Sequence, residues 1–290
     1  MPDLVFIMNR PEPCKAEIFL RKDCGISHRQ LTRLKHTKNG LTLNGNLLRT
    51  VDIVKQGDCI HVHMEDKSEI IPNPDLIVPL AFESDEALIF DKPAGMPVHP
   101  SQCHHTDTLG NAFTAKYPDL TFRPVHRLDN DTSGLVCVAK NAISAGSLPD
   151  RLQKKYVALV SGNPPDSGTV NAPIGRCEDS IIARRITPDG KNAVTHFEVM
   201  ARGLKYTLVS FRLETGRTHQ IRLHMSHIGC PLAGDFLYGG DMTDLQRHAL
   251  HCAEMEYTDL SGQLHIIRSP LPDDMQKCFV QNAGISEFSE

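Results

Sequence analysis

The chain has 290 residues, room for one large domain and a small one. Apolar residues make up 40% of it, as in an ordinary globular protein, and no stretch approaches the ~18 apolar residues of a membrane span, so a helical membrane protein is excluded. The net charge of −4 argues against a uniformly basic nucleic-acid binder, yet the charge is unevenly placed. Between Lys15 and Lys55 nine Lys/Arg stand against three acidic residues, which leaves 22 basic against 32 acidic residues elsewhere. Such asymmetry fits a basic docking module on an acidic body, although a solvated face explains an isolated cluster equally well.

The segment Met1 to Arg10 holds only a short apolar run, Leu4 to Met8, and no cleavage-site pattern, so no signal peptide is expected. Nine scattered cysteines form no Cys-x-x-Cys pair, which points to reduced thiols and a cytoplasmic location. Ser27 is a good N-cap for a helix from His28 to about Thr37, with Leu31 and Leu34 as its buried stripe. Arg29, Arg33, Lys35 and Lys38 supply its charged surface, and Asn39-Gly40 closes it. Leu41 to Leu43 alternates like a strand and Asn44-Gly45 signals a tight hairpin. Val51 to Val54 and Cys59 to Val62 read as further strands split by Gly57-Asp58. The polar stretch from Glu65 to Asp75, with Pro72 and Pro74, reads as a linker. This gives a small domain at 1–66, a linker at 67–75 and a large domain at 76–290.

In the large domain, Thr108 to Lys116 is a predicted helix capped by Thr106 or Thr108. Leu135 to Ala139 has the look of a buried strand. Lys154 to Ser161, Ala193 to Met200, Tyr206 to Leu213 and Leu264 to Ile267 read as strands. Thr218 to Ile228 reads as a helix with Ile221, Met225 and Ile228 on its inner face. Many strands without alternating βα units make a mixed pattern rather than that of a doubly wound α/β fold. Cys103-His104-His105-Thr106-Asp107 contains metal-ligand types but has no second half at suitable spacing, so no metal is expected. Asp129 with Asp131 or Asp235 could mimic a glycosidase pair, but nothing else supports sugar hydrolysis.

The most informative run is His126-Arg127-Leu128-Asp129-Asn130-Asp131-Thr132-Ser133-Gly134-Leu135. It sets one carboxylate in a loop of small polar residues that leads into the core. The run resembles the signature of the RluA class of pseudouridine synthases, His-Arg-Leu-Asp-x-x-Thr-Ser-Gly-Leu, at every position. Further blocks resemble that family in order: Asp91 to Pro100, Lys154 to Gly162, Gly190 to Thr195, Thr215 to His224, Gly229-Cys230-Pro231 and Gly234 to Gly239. The resemblance runs from about Leu88 to Pro272. Residues 12 to 65 resemble, on shorter motifs, an S-four-like RNA-binding domain, with the Asn-Gly hairpin and the later Gly-Asp both present.

The resemblance implies an α+β fold: a largely antiparallel central sheet with flanking helices, plus a small N-terminal α/β RNA-binding domain. It implies isomerisation of uridine in RNA, which needs a charged carboxylate and a dry pocket but no redox step, hence no cofactor. Asp129 matches the catalytic aspartate and Arg222 the arginine that pairs with it, whose fork would favour the ionised carboxylate. Tyr156 matches the tyrosine that stacks on the target base. Arg127 matches a residue that fills the space of an extruded nucleotide; His126, Lys154 and Leu250 are further substrate-side candidates. His126, His219 and His224 are given no general-base role, because a histidine beside such a motif is often architectural. The expected partner is ribosomal RNA ahead of transfer RNA, with no protein partner implied and a monomer expected. Two other readings stay open: a non-catalytic RNA-binding assembly factor, and a glycosylase that would release free uracil.

Overall fold

The computed structural model describes residues 4–63, 70–178, 180, 182–260 and 262–283, without the side chains of Arg29 and Ala283. The N-terminal part builds its own apolar cluster from residues between Met8 and Val62. Its four-stranded antiparallel sheet runs, in space, Leu4–Ile7, Cys59–Val62, Leu41–Leu43, Asn46–Leu47. Asn44 and Gly45 both take positive φ, 48° and 85°, the turn that matches the strand twist of a two-residue hairpin. The helix His28–His36 begins at a full capping box, with Ser27 and Gln30 each satisfying the other's backbone N–H. Leu31 and Leu34 are buried, as the spacing predicts.

The Asn39-Gly40 pair closes the helix as expected, with Asn39 (φ 56°) as its left-handed residue. Differences from expectation lie at short elements. The strand predicted over Val51 to Val54 shrinks to Ile53–Val54, which pairs with Cys14–Lys15. The strand Leu4–Ile7 and the seven-residue helix Ala16–Lys22 had no strong local signal; no side-chain cap marks the start of that helix. The end of the 1–66 domain and the start of the 67–75 linker fall on residues 64–69, outside the described residues. The described part of that linker is not a free tether. The fully buried Asn111 donates to the carbonyls of Ile71 (2.6 Å) and His105 (2.8 Å), because a buried amide needs partners. The N-terminal part also docks: Gln30 Nε2 donates to Ala142 O at 2.6 Å, and Ile143 joins the small domain's core.

The large sheet runs, in spatial order, Ser167–Asn171, Val194–Arg202, Tyr206–Leu213, Leu152–Ser161, Leu250–Thr258, Ser133–Ala139, Ala87–Lys92, Leu80–Glu83, with Leu264–Arg268 added on Leu250–Thr258. Every pairing is antiparallel except one: Ser133 and Gly134 run parallel to His251 and Cys252. Leu135 to Ala139 are fully buried, which explains their unbroken apolar run. The helix Leu109–Lys116 starts at Thr108 through a capping box. The helix Gln220–His227 is shorter than predicted, and Ile228 is 37% exposed, while Ile221 and Met225 are buried as expected. The helices Ala142–Arg151 and Asp273–Ala283 complete the flanks.

Candidate active site

The loop that carries Asp129 is tied down residue by residue. Thr132 N–H donates to Asp129 O at 3.2 Å, closing the turn. The Asn130 carbonyl accepts from Lys92 Nζ at 3.0 Å, and the Asp131 carbonyl from Arg247 Nη1 at 3.1 Å. Thr132 Oγ1 lies 2.8 Å from His248 Nε2, and Ser133 Oγ 2.9 Å from His251 Nδ1. Lys92 also donates to the carbonyls of Pro93 and Met96, so its three ammonium protons meet three carbonyls. Burial pushes Lys92 down to about 7, with Asp131 opposing the shift. Burial likewise pushes His248 down to about 2, with Arg222 and Arg247 adding to it, so its ring is neutral. Gly134 then crosses the Leu250–Thr258 strand at φ 106°; a Cβ there would sit 2.3 Å from Cys252 O. Only glycine permits that crossing, and the crossing is what aims the loop out of the core.

Asp129 comes from this loop and Arg222 from the helix Gln220–His227, and the fold brings them to 3.1 Å, Nη1 to Oδ2. A second carboxylate holds the other edge of the same guanidinium. Asp235 accepts from Nε at 2.7 Å and from Nη2 at 2.8 Å, a bidentate pair. The side chain of Asp235 is 0% exposed and that of Asp129 is 25% exposed. Asp235 is therefore an anchor, and Asp129 is the carboxylate open to the cleft, so the two cannot serve as a glycosidase pair. Burial works against the Arg222 charge, but Asp235 and Asp129 outweigh it and raise its pKa above the usual value. The Arg222 guanidinium also lies over the Tyr238 ring, 5.2 Å from its centre. The turn that delivers Asp235 depends on Gly234 (φ 70°), where a Cβ would meet Arg247 O at 2.0 Å.

Tyr156, Leu250, Arg127 and His219 line one pocket together with Asp129 and Arg222. Where the Tyr156 strand pairs with Leu250–Thr258 the register shifts between Lys155 and Tyr156, and Ala253 is the extra residue on the partner strand. Tyr156 is 7% exposed, and burial first, then nearby Cys252 and Asp129, raise its hydroxyl well above the usual range. Leu250, 5% exposed, serves both core and pocket wall. Arg127 is exposed at the rim. His126 and Lys154 line the wider cleft. His126 Nε2 accepts from Cys137 N–H at 3.3 Å, tying loop to strand, and burial pushes it down to about 3. Burial also lowers Lys154. His224 is architectural, bonded to Thr195 Oγ1 and Ala172 O, both at 2.9 Å.

Lys35 and Lys38 are exposed on and just after the helix His28–His36; the side chain of Arg29 lies outside the described residues. Arg33, also exposed, comes near enough to Arg123 to help burial lower that guanidinium. The sequence assigns no role to Lys92, Arg247, His248, His251, Asp235 or Tyr238, although Lys92, Asp235 and Tyr238 lie inside the family-like blocks. For Asp235 and Tyr238 the signal available is a polar residue next to glycine, Gly234 and Gly239. Among the described residues no group of three or more His, Cys, Asp or Glu stands together as a metal site.

The family described as RNA pseudouridylate synthase matches residues 86–227, which contain Asp129, Tyr156 and Arg222. The chain is 37% identical over 268 residues to the RNA pseudouridine synthase YjbO of Bacillus subtilis, covering 88% of this chain and 95% of that one. It is 38% identical over 260 residues to ribosomal large subunit pseudouridine synthase D of Pseudomonas aeruginosa, covering 81% of each. Its fold is similar to that of human RNA pseudouridylate synthase domain containing 1, with a TM-score of 0.59 and 26% identity over 74% of this chain and 91% of that one. The fold and site define an isomerase that acts on RNA. The chain belongs to the RluA class of RNA pseudouridine synthases. All nine cysteines are free, and among the described residues no helix is long and apolar enough to cross a membrane.

Proposed function

We propose that this synthase isomerises uridine in structured ribosomal RNA, with Asp129 as the catalytic carboxylate. The reaction breaks the bond from ribose C1′ to N1, turns the uracil, and rejoins C1′ to C5; the C5 proton leaves and N1 gains one. Attack on the base, attack on the sugar and removal of a sugar proton all need a carboxylate that is ionised, fixed and shielded from water. One observation carries the reading: Asp129 meets Arg222 at 3.1 Å in a pocket that Tyr156 also lines, while Asp235, the other carboxylate on that guanidinium, is sealed off. The flipped uracil stacks on Tyr156 beside Leu250, and Arg127 at the rim occupies the gap left in the RNA. The 1–66 segment acts as an S-four-like module whose Arg29, Arg33, Lys35 and Lys38 meet phosphates and add affinity rather than sequence choice. Ribosomal RNA is favoured by similarity to the large-subunit enzyme and by that module. The nine free thiols support a reducing, cytoplasmic location.

The test is tritium release from RNA labelled at uridine C5, prepared from cells that lack the protein and split into ribosomal and transfer fractions. Release from ribosomal RNA by the wild type, none by Asp129→Ala, and no free uracil are expected. Free uracil would indicate a glycosylase. Tight binding without release would indicate an assembly factor.

A further inference from the structure

His219 occupies a position whose geometry the ion pair does not explain. It precedes the helix Gln220–His227 with φ 58°, and the other non-glycine residues at positive φ among those described are Asn39 and Asn44. Asparagine tolerates that region readily, whereas a histidine there is held by its surroundings. Its side chain does not cap the helix. It turns instead between two partners: Nδ1 lies 2.9 Å from the Tyr238 hydroxyl, and Nε2 lies 3.8 Å from Asp129 Oδ2.

The proton positions follow from the bonding. The Tyr238 hydroxyl accepts the Arg184 backbone N–H at 2.9 Å, and among the described residues His219 Nδ1 is the acceptor placed to take its own proton. A neutral imidazole then carries its single proton on Nε2, the nitrogen that faces Asp129. The ring is neutral because burial lowers its pKa; Asp129 and Asp235 oppose that shift, while Arg222 and Arg184 add to it. His248 also lies within the field of His219. Tyr238 is fixed at its other end, where its carbonyl accepts from Ser226 Oγ at 2.8 Å. Arg222 and His219 both approach Oδ2, and among the described residues no hydrogen bond reaches Asp129 Oδ1.

We propose that His219 is a positioning residue for the reaction: with its tautomer set by Tyr238, it donates Nε2–H to Asp129 Oδ2 in the RNA complex and leaves Oδ1 to react. This rests on Asp129 being the catalytic carboxylate. The present 3.8 Å is longer than a hydrogen bond, and catalytic contacts often tighten only when substrate closes the site. Held by Arg222 and His219 from two directions, the carboxylate cannot rotate to exchange its oxygens.

The experiment is single-turnover tritium release by full-length His219→Asn, His219→Gln and Tyr238→Phe, with RNA affinity measured alongside. Asn tolerates the backbone conformation but places its amide where Nδ1 lies, so the donor to Asp129 is lost. Gln places an N–H where Nε2 lies. His219→Asn is expected to slow the bound-state rate on the order of 100-fold, the scale of a misplaced reacting group, with RNA affinity unchanged. His219→Gln is expected to restore most of the rate, and Tyr238→Phe to fall between the two. Nitrogen-15 spectra of the wild type should show the Nε2-protonated tautomer, and Tyr238→Phe a mixture; this readout stands even if a His219 variant folds poorly. Equal rates for Asn and Gln, a loss confined to RNA affinity, or an Nδ1-protonated wild-type ring would overturn the proposal. Asp129→Ala is the separating control. If it releases tritium, the reading of Asp129 itself fails; if it is inactive while Asn and Gln behave alike, only the role of His219 fails.

Discussion

The Asp129 loop and the His28–His36 helix are both rich in polar residues, but their polarity is used in opposite ways. Around Asp129, buried charges and histidines are met by partners, several of them remote in sequence: Arg222 is 93 residues from Asp129 and His248 is 116 from Thr132. Along the helix, the cap is local, Ser27 with Gln30, and the cations face solvent. Partnered burial makes a rigid site whose parts fail together, because removing one partner leaves the other uncompensated in a low-dielectric interior. Exposed cations contribute little to folding and remain available to a polyanion.

The largest effect expected from this contrast is at Asp235. Asp235→Ala leaves a guanidinium that is only 8% exposed with one partner at 3.1 Å in place of two carboxylates. The expected loss is about 3–5 kcal/mol in urea unfolding, together with loss of tritium release. Surface changes at Lys35 or Lys38 should stay within about 0.5 kcal/mol. A cost at Asp235 as small as that would erase the distinction between the two regions.

That asymmetry also decides what could be read from sequence. The cap at Ser27, the Asn44-Gly45 hairpin and the Thr108 start are legible because each signal sits within a few residues of its effect. Asp129, Arg222 and Tyr156 were legible through resemblance to a family. Their assembly into one pocket depends on the parallel crossing of Ser133-Gly134 past His251-Cys252, which no local pattern reveals. Asp235 was weighed only as half of a glycosidase pair, because sequence shows a carboxylate but not which guanidinium it grips. Lys92 and His248 are hidden in a related way: Lys92 binds backbone carbonyls, which carry no side-chain signal, and His248 the hydroxyl of a distant loop. Ile228 shows the converse error, where apolar spacing implied burial but the helix ended one residue too soon.

A smaller effect is expected from pH. His248 is neutral in the fold, its pKa lowered to about 2, while in the unfolded chain it titrates near ~6.5. Between those values the unfolded chain binds the extra proton, so stability falls as pH drops below ~6.5. The contribution of this one ring is about 1 kcal/mol per pH unit. Urea midpoints of the wild type and His248→Gln, compared from pH 7.5 to 5.5, isolate it. The wild type should lose stability more steeply, and parallel slopes would show that this ring does not govern the acid limb.

The smallest effect on the fold, and the sharpest on binding, is expected at Lys35 and Lys38. Changing both to Gln should leave the unfolding midpoint and the rate at saturating RNA unaltered, because neither lies in the pocket. RNA affinity should fall, and the salt dependence of binding should flatten by ~0.7–0.9 for each phosphate contact removed. That pairing of results separates docking from architecture, since a solvated face would change neither affinity nor slope. An intact slope with lowered stability would mean that this helix serves the fold instead, through Gln30 on Ala142 and Ile143 in the small core. The basic stretch would then belong with the buried network around Asp129 rather than stand opposite to it.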